Sequence, residues 1–114
     1  MSQVLIIGDR ECETAVIQES VKTVLAYFWA DWCGPCRLMS PSIDWASDTY
    51  ADRLKVVKLE VDPNPESVKR CKVEGVPALV LYRKGEIVAT AEGAIGRDKL
   101  AAFLDQHLES AIAH

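Results

Sequence analysis

The stretch Trp32-Cys33-Gly34-Pro35-Cys36 stands where a continuous apolar run, residues 24–30, gives way to a helical pattern. Two cysteines separated by two residues can close a disulfide only if the backbone curls, as the first turn of a helix does when it brings positions i and i+3 onto one face. So small a loop stabilises a fold little in the chain-entropy picture, where long loops contribute most. A bridge here is therefore better explained by redox chemistry than by stapling. Pro35 suits the opening of a helix, where its missing N–H costs nothing. Cys33 then falls at the N-cap, with its sulfur facing unsatisfied backbone N–H groups and the positive end of the helix dipole, both of which favour thiolate. Cys36, one turn further in, feels less of this. The spacing thus divides the work: Cys33 attacks a substrate disulfide, and Cys36 resolves the mixed disulfide.

The rest of the chain supplies a scaffold of alternating elements. Val4-Leu5-Ile6-Ile7, ended by Gly8-Asp9, predicts a strand and then a weak helix, on which Cys12 and Val16 share a face. Cys12 is expected to be a small buried hydrophobe. The run at 24–30 has no polar alternation, which predicts a central strand covered on both faces. Ligand and reaction sites gather beyond the carboxyl ends of strands in open α/β sheets, and this strand leads straight into the cysteine pair. Met39, Ile43, Ala46 and Tyr50 then recur on one helical face, interrupted by Pro41, which kinks the axis, with Trp45 beside the stripe. Residues 56–61 predict another strand, and Asp62-Pro63-Asn64-Pro65 a turn into a short helix ending at Cys71. Residues 78–82 and 87–91, joined by a turn at 83–86, predict an antiparallel hairpin. Leu100, Phe103, Leu104, Leu108 and Ala111 line one face of a closing helix. The order is βαβαβαββα, an α/β class with a mixed sheet of four to five strands and helices on both faces.

Phe28-Trp29-Ala30-Asp31-Trp32-Cys33-Gly34-Pro35-Cys36 resembles the active-site stretch of the thioredoxins. The similarity extends to Pro41, Lys58, Val76-Pro77, Gly85 and Gly93, nearly the whole chain. It implies the thioredoxin fold and a protein-disulfide reductase that carries electrons through a reversible Cys33–Cys36 dithiol/disulfide. The partners implied are disulfide-containing target proteins and a thioredoxin reductase, NADPH- or ferredoxin-linked, with no cofactor of the chain's own. The resemblance makes Gly34 and Pro35 tuning residues of the pair, and it places Lys58 behind the active site. From its setting alone, a lysine between apolar neighbours would be a snorkelling surface group. The matching proline in the family is cis and packs beside the reactive cysteine, whereas Pro77 read alone would be a trans strand-entry proline. With the resemblance, Gly75-Val76-Pro77-Ala78 becomes a docking rim for an extended substrate strand, and Trp32, Gly34, Pro35 and Gly93 form a flat apolar surface beside it.

The chain departs from the family at Tyr27, where most thioredoxins carry a buried aspartate thought to accept or relay the resolving thiol's proton. A tyrosine, with a reference pKa near 10, is a poor base at neutral pH. The resolving step would then rely on water, on Lys58 or on the substrate thiolate. Ala78 replaces the usual threonine. Cys71, just before the docking rim, is expected to be exposed enough for capping or dimerisation under oxidation, the alternative being a buried thiol.

Length and charge narrow the function. At 114 residues the chain is expected to form one domain, 1–114, and a monomer. A net charge of −4 without a basic cluster lacks the electrostatic footprint of a nucleic-acid or anionic-membrane partner. No apolar run approaches the roughly 20 residues that span a bilayer, and the first residues lack the pattern of a secretory signal. Four cysteines in a chain with ample apolar residues and a separate CxxC point to a reducing compartment, so a cytoplasmic location is expected. Two other function classes compete. A binding module could use the redox pair only as a switch, and a metal site would find only two ligands in one CxxC where a structural zinc takes four, with His107 and His114 lying in the last helix and tail.

Overall fold

The computed structural model describes residues 4–112, with side chains as far as residue 108. Its sheet is built around β2 (Thr23–Trp29), which pairs in parallel with β3 (Leu54–Glu60) on one side and antiparallel with β4 (Ala78–Arg83) on the other. The short β1 (Leu5–Ile6) adds to the outer edge of β3, and β5 (Glu86–Glu92) to that of β4, giving the order β1-β3-β2-β4-β5. The sheet is mixed because helical crossovers join the early strands, whereas a two-residue turn joins the last two.

Both faces of β2 are covered, which is why its sequence shows no alternation. Leu25 and Tyr27 point to the side carrying α2 (Gly34–Thr49) and α4 (Arg97–Ile112). Ala26 and Phe28 point to the other side. There they meet Cys12 of α1 (Asp9–Cys12), Val16 of the π-helical stretch Glu13–Ile17 that continues it, and Cys71 at the end of α3 (Pro65–Arg70). Cys12 is buried, as expected of a small hydrophobe. The stripe Met39, Ile43, Ala46 and Tyr50 is buried, and Trp45 beside it is half-buried. Of the closing-helix stripe, Leu100, Leu104 and Leu108 are buried and Phe103 half-buried, while the side chain of Ala111 lies outside those described.

The predicted first strand shrinks to two residues, Leu5 and Ile6, both exposed. An edge strand has only one neighbour to hold it, so an apolar run there fixes neither its length nor its burial. The hairpin turn falls at residues 83–86 as expected, with the strands running right up to it: Lys84 (φ 51°) and Gly85 (φ 81°) are its two central residues, the left-handed pair that matches the twist of the flanking strands. A Cβ on residue 85 would also lie 2.8 Å from the carbonyl oxygen of Ile17, so glycine is required there twice over.

The helix that looked weak in sequence is held from outside. The Asp9 carboxylate accepts from the backbone N–H groups of Ser67 (2.7 Å) and Glu66 (3.1 Å), capping α3 from 58 and 57 residues away. Asn64 completes the link: its side chain accepts from the N–H of Asp9 and donates to the carbonyl of Glu60 (2.8 Å each). The loop after β3, which borders the cysteine pair, is thereby tied to the sheet.

Candidate active site

Cys33 and Cys36 form a disulfide, with Cα atoms 5.3 Å apart, at the carboxyl end of β2. Cys33 is the N-cap residue of α2, and its Sγ accepts from the backbone N–H of Cys36 at 3.2 Å. Pro35 sits in the first turn, where its ring is compatible with the helix start. Both sulfur-bearing residues are buried, Cys33 at 5% exposure and Cys36 at 1%, against Ala30, Trp29, Val61 and Val76. Of the two, Cys33 is the one nearer the surface.

Around the pair the surface is apolar and open. Trp32 is 66% exposed, and Gly34, Pro35 and Gly93 are exposed with it. The Val76–Pro77 peptide is cis, with Val76 packed against the cysteine cluster, so the reading of Pro77 as a trans strand-entry residue falls. The Pro77 carbonyl accepts from the N–H of Gly93 at 2.8 Å, which joins these two sequence-remote residues at one rim.

Tyr27 is fully buried, and its hydroxyl donates to the backbone carbonyl of Cys36 at 2.8 Å. Burial pushes its phenol up to about 12, so it is neutral throughout the physiological range. Lys58 is the register partner of Tyr27 across β2 and β3 and shares its face of the sheet. Its Nζ lies 4.9 Å over the ring of Trp29, half-buried rather than snorkelled free.

Several supporting residues escape sequence reasoning. Trp32 Nε1–H donates to Asp62 Oδ2 at 2.8 Å, which turns an aspartate that looked like a plain turn residue into the anchor of the exposed indole. Arg37 donates to the Asp31 carbonyl at 2.9 Å, and Glu92 accepts from the N–H of Gly75 at 3.2 Å. The only local signal for these was their proximity in sequence to the motif or the hairpin.

One expectation is overturned. Cys71 is buried at 2% exposure, its Sγ 3.2 Å from the hydroxyl of Tyr82, because the end of α3 folds beneath β4 instead of projecting from the docking rim. Burial pushes the Cys71 thiol up, and it is not poised for oxidation. In the native reduced protein, Cys71 is expected to resist iodoacetamide for as long as the fold survives and to react once the chain is denatured. Peptide mass mapping of both samples checks this, and comparable labelling of Cys71 and Cys33 in the native sample would contradict it.

Among the described residues, no three His, Cys, Asp or Glu side chains gather as metal ligands, and no helix is long and apolar enough to cross a membrane. His107 packs edge-on against Phe103 on α4, and His114 lies outside the described residues.

Comparison with known proteins agrees with this geometry. The thioredoxin family model matches residues 3–106. A thioredoxin-like protein of Synechocystis sp. is 55% identical over 103 residues, covering 90% of this chain and 94% of the relative. The thioredoxin of Acidithiobacillus ferridurans is 42% identical over 105 residues (92% and 96%), and that of Haemophilus influenzae 38% identical over 108 (95% and 100%). With the cysteine pair at the head of α2, the mixed five-stranded sheet behind it and these relatives along almost its full length, the chain belongs to the thioredoxin family of thiol-disulfide oxidoreductases.

Proposed function

We propose that the chain reduces protein disulfides, with Cys33 as nucleophile and Cys36 as resolving thiol. The observation that carries this is the N-cap position of Cys33, whose sulfur accepts from the N–H of Cys36 at 3.2 Å. That donor and the positive end of the α2 dipole favour a thiolate at Cys33 in the reduced protein. The Cys33 thiolate attacks one sulfur of the target disulfide, forming a mixed disulfide and expelling the other sulfur as a thiolate. Cys36 then gives its proton to that thiolate, and its sulfur attacks Cys33. The Cys33–target bond breaks, and the second target sulfur leaves with the electron pair. The target gains two electrons and the chain loses two, closing Cys33–Cys36. A reductase dithiol returns them.

Trp32, Val76, Pro77 and Gly93 form the substrate-binding rim in this reading, and Gly34 and Pro35 hold the turn that presents the pair. The rim's apolar surface and loop backbone suit an extended segment of a target protein. The donor is an NADPH- or ferredoxin-linked thioredoxin reductase, the location cytoplasmic, the working form a monomer, and residues 1–114 one domain.

The direction of electron flow is tested by equilibrating the protein with glutathione. A reducing carrier is expected to be almost wholly disulfide-bonded in about a tenfold excess of glutathione over millimolar glutathione disulfide, conditions that leave an oxidising scaffold as dithiol. Acid quench, alkylation and intact mass give the ratio. A pair that stays reduced there makes the protein an oxidant or isomerase instead.

A further inference from the structure

The hydrogen bond between Tyr27 and the backbone of Cys36 has no part in the exchange chemistry, yet it reaches the residue on which the second step turns. Tyr27 belongs to the central strand, its side chain fully buried, and its hydroxyl spans from the sheet to the Cys36 carbonyl in the first turn of α2. Pro41 has no N–H to offer the carbonyl of Arg37, so the helix ladder is interrupted just beyond the turn. Other ties of the turn are the exposed bond from Arg37 to the Asp31 carbonyl, the bond from the Cys36 N–H to the Cys33 sulfur, the packing of both cysteines against Ala30, Trp29, Val61 and Val76, and the disulfide itself. Reduction removes the disulfide. The phenol–carbonyl bond does not depend on redox state and is buried, where such a bond is strengthened by the low local dielectric.

We propose that Tyr27 is a positioning residue for the resolving step: it holds the Cys36 backbone against the sheet when the disulfide is open, so that the Cys36 sulfur stays aimed at Cys33 in the mixed disulfide. This rests on the assignment of Cys33 as nucleophile and Cys36 as resolving thiol. The reaction is the one written above, and Tyr27 exchanges no proton or electron in it. Attack within a mixed disulfide requires the two sulfurs to be in line, and a small misplacement of one of them costs rate steeply. The titratable groups on the same face are Cys36 from α2 and Tyr50 at its C-cap, Lys58 and Glu60 from β3, whose register partners are Tyr27 and Trp29, and Asp105 from α4, which accepts from the Tyr50 hydroxyl at 2.6 Å. β4 contributes Leu79 there, and α4 contributes Leu100 and Leu104.

The test is Tyr27→Phe, which keeps the ring and removes the hydroxyl. The reduced protein is mixed with glutathione disulfide, quenched rapidly in acid over a range of pH, and weighed intact, which separates formation of the Cys33–glutathione adduct from its decay. Loss of one buried hydrogen bond is expected to slow adduct decay about tenfold, leave adduct formation within a factor of about two, and leave the pH midpoint of decay unchanged. Unchanged decay, or equal slowing of both steps, would overturn the proposal. A shifted midpoint would do so too, since the phenol would then be handling the proton. If Cys36→Ser, which cannot resolve, forms no adduct on Cys33 under these conditions, the underlying assignment fails, a result distinct from any of these.

Discussion

Cys33→Ser is expected to lose all disulfide reductase activity, whereas Cys36→Ser is expected to react once and then stop as a stable mixed disulfide with its target. A serine hydroxyl cannot exchange with a disulfide, and Cys36, at 1% exposure and one turn inside α2, is too deeply set to take over the attack. In Cys36→Ser the N-cap sulfur keeps its place at the head of the helix, so attack proceeds, and only the intramolecular displacement is missing. Insulin reduction in the presence of a dithiol regenerant reads turnover, and intact mass of the pre-reduced variant mixed with target alone, without regenerant, reads the adduct. Turnover should fall below detection for both variants, with a stoichiometric adduct on Cys36→Ser alone. Equal, full turnover by both would remove the pair from the reaction, and an adduct on Cys33→Ser instead would reverse the roles. The same Cys36→Ser protein, applied to a cell extract, would hold target proteins on Cys33.

The second large effect concerns stability. Tyr27→Asp places a carboxyl in a fully buried position on the central strand, where burial disfavours the charged form. Its folded pKa is therefore raised above the unfolded value of about 3.9, with Lys58, the register partner, offsetting part of the rise. Below pH 3.9 the acid is neutral in both states and ionisation costs nothing. As pH rises past that value the unfolded chain ionises while the folded one stays protonated, so stability is lost at about 1.4 kcal/mol per pH unit until the folded group ionises as well. Two losses independent of pH add to this: the cavity left by the ring, of the order of 3 kcal/mol, and the hydroxyl bond to the Cys36 carbonyl, about 1 kcal/mol. The parent has no matching titration at this site, because burial holds the Tyr27 phenol up to about 12. Denaturant melts of both proteins from pH 4 to pH 8 are expected to show a deficit that widens with pH. A constant deficit would mean that water reaches position 27, against the buried reading of β2.

Local patterns alone made much of this protein legible. The unbroken apolar run at 24–30 identified the central strand because burial on both faces leaves no room for alternation. The stripe from Met39 to Tyr50 identified α2, and Pro35 set its start by supplying a φ that a helix opening accepts. The turn signal at residues 83–86 between two apolar runs marked the hairpin. All of these are decided by neighbours a few residues away. Tertiary structure decided what depended on distant partners: the seat of Cys71 beneath Tyr82, the capping of α3 by Asp9, the anchoring of Trp32 on Asp62 and the clasp of Tyr27 on the Cys36 carbonyl. The short α3 exposes or buries its last residue according to which strand it lies under, and the edge strand β1 takes its length from its single neighbour rather than from its own apolar run. Such contacts arise from the order of strands in the sheet, for which periodicity and local propensity carry no signal.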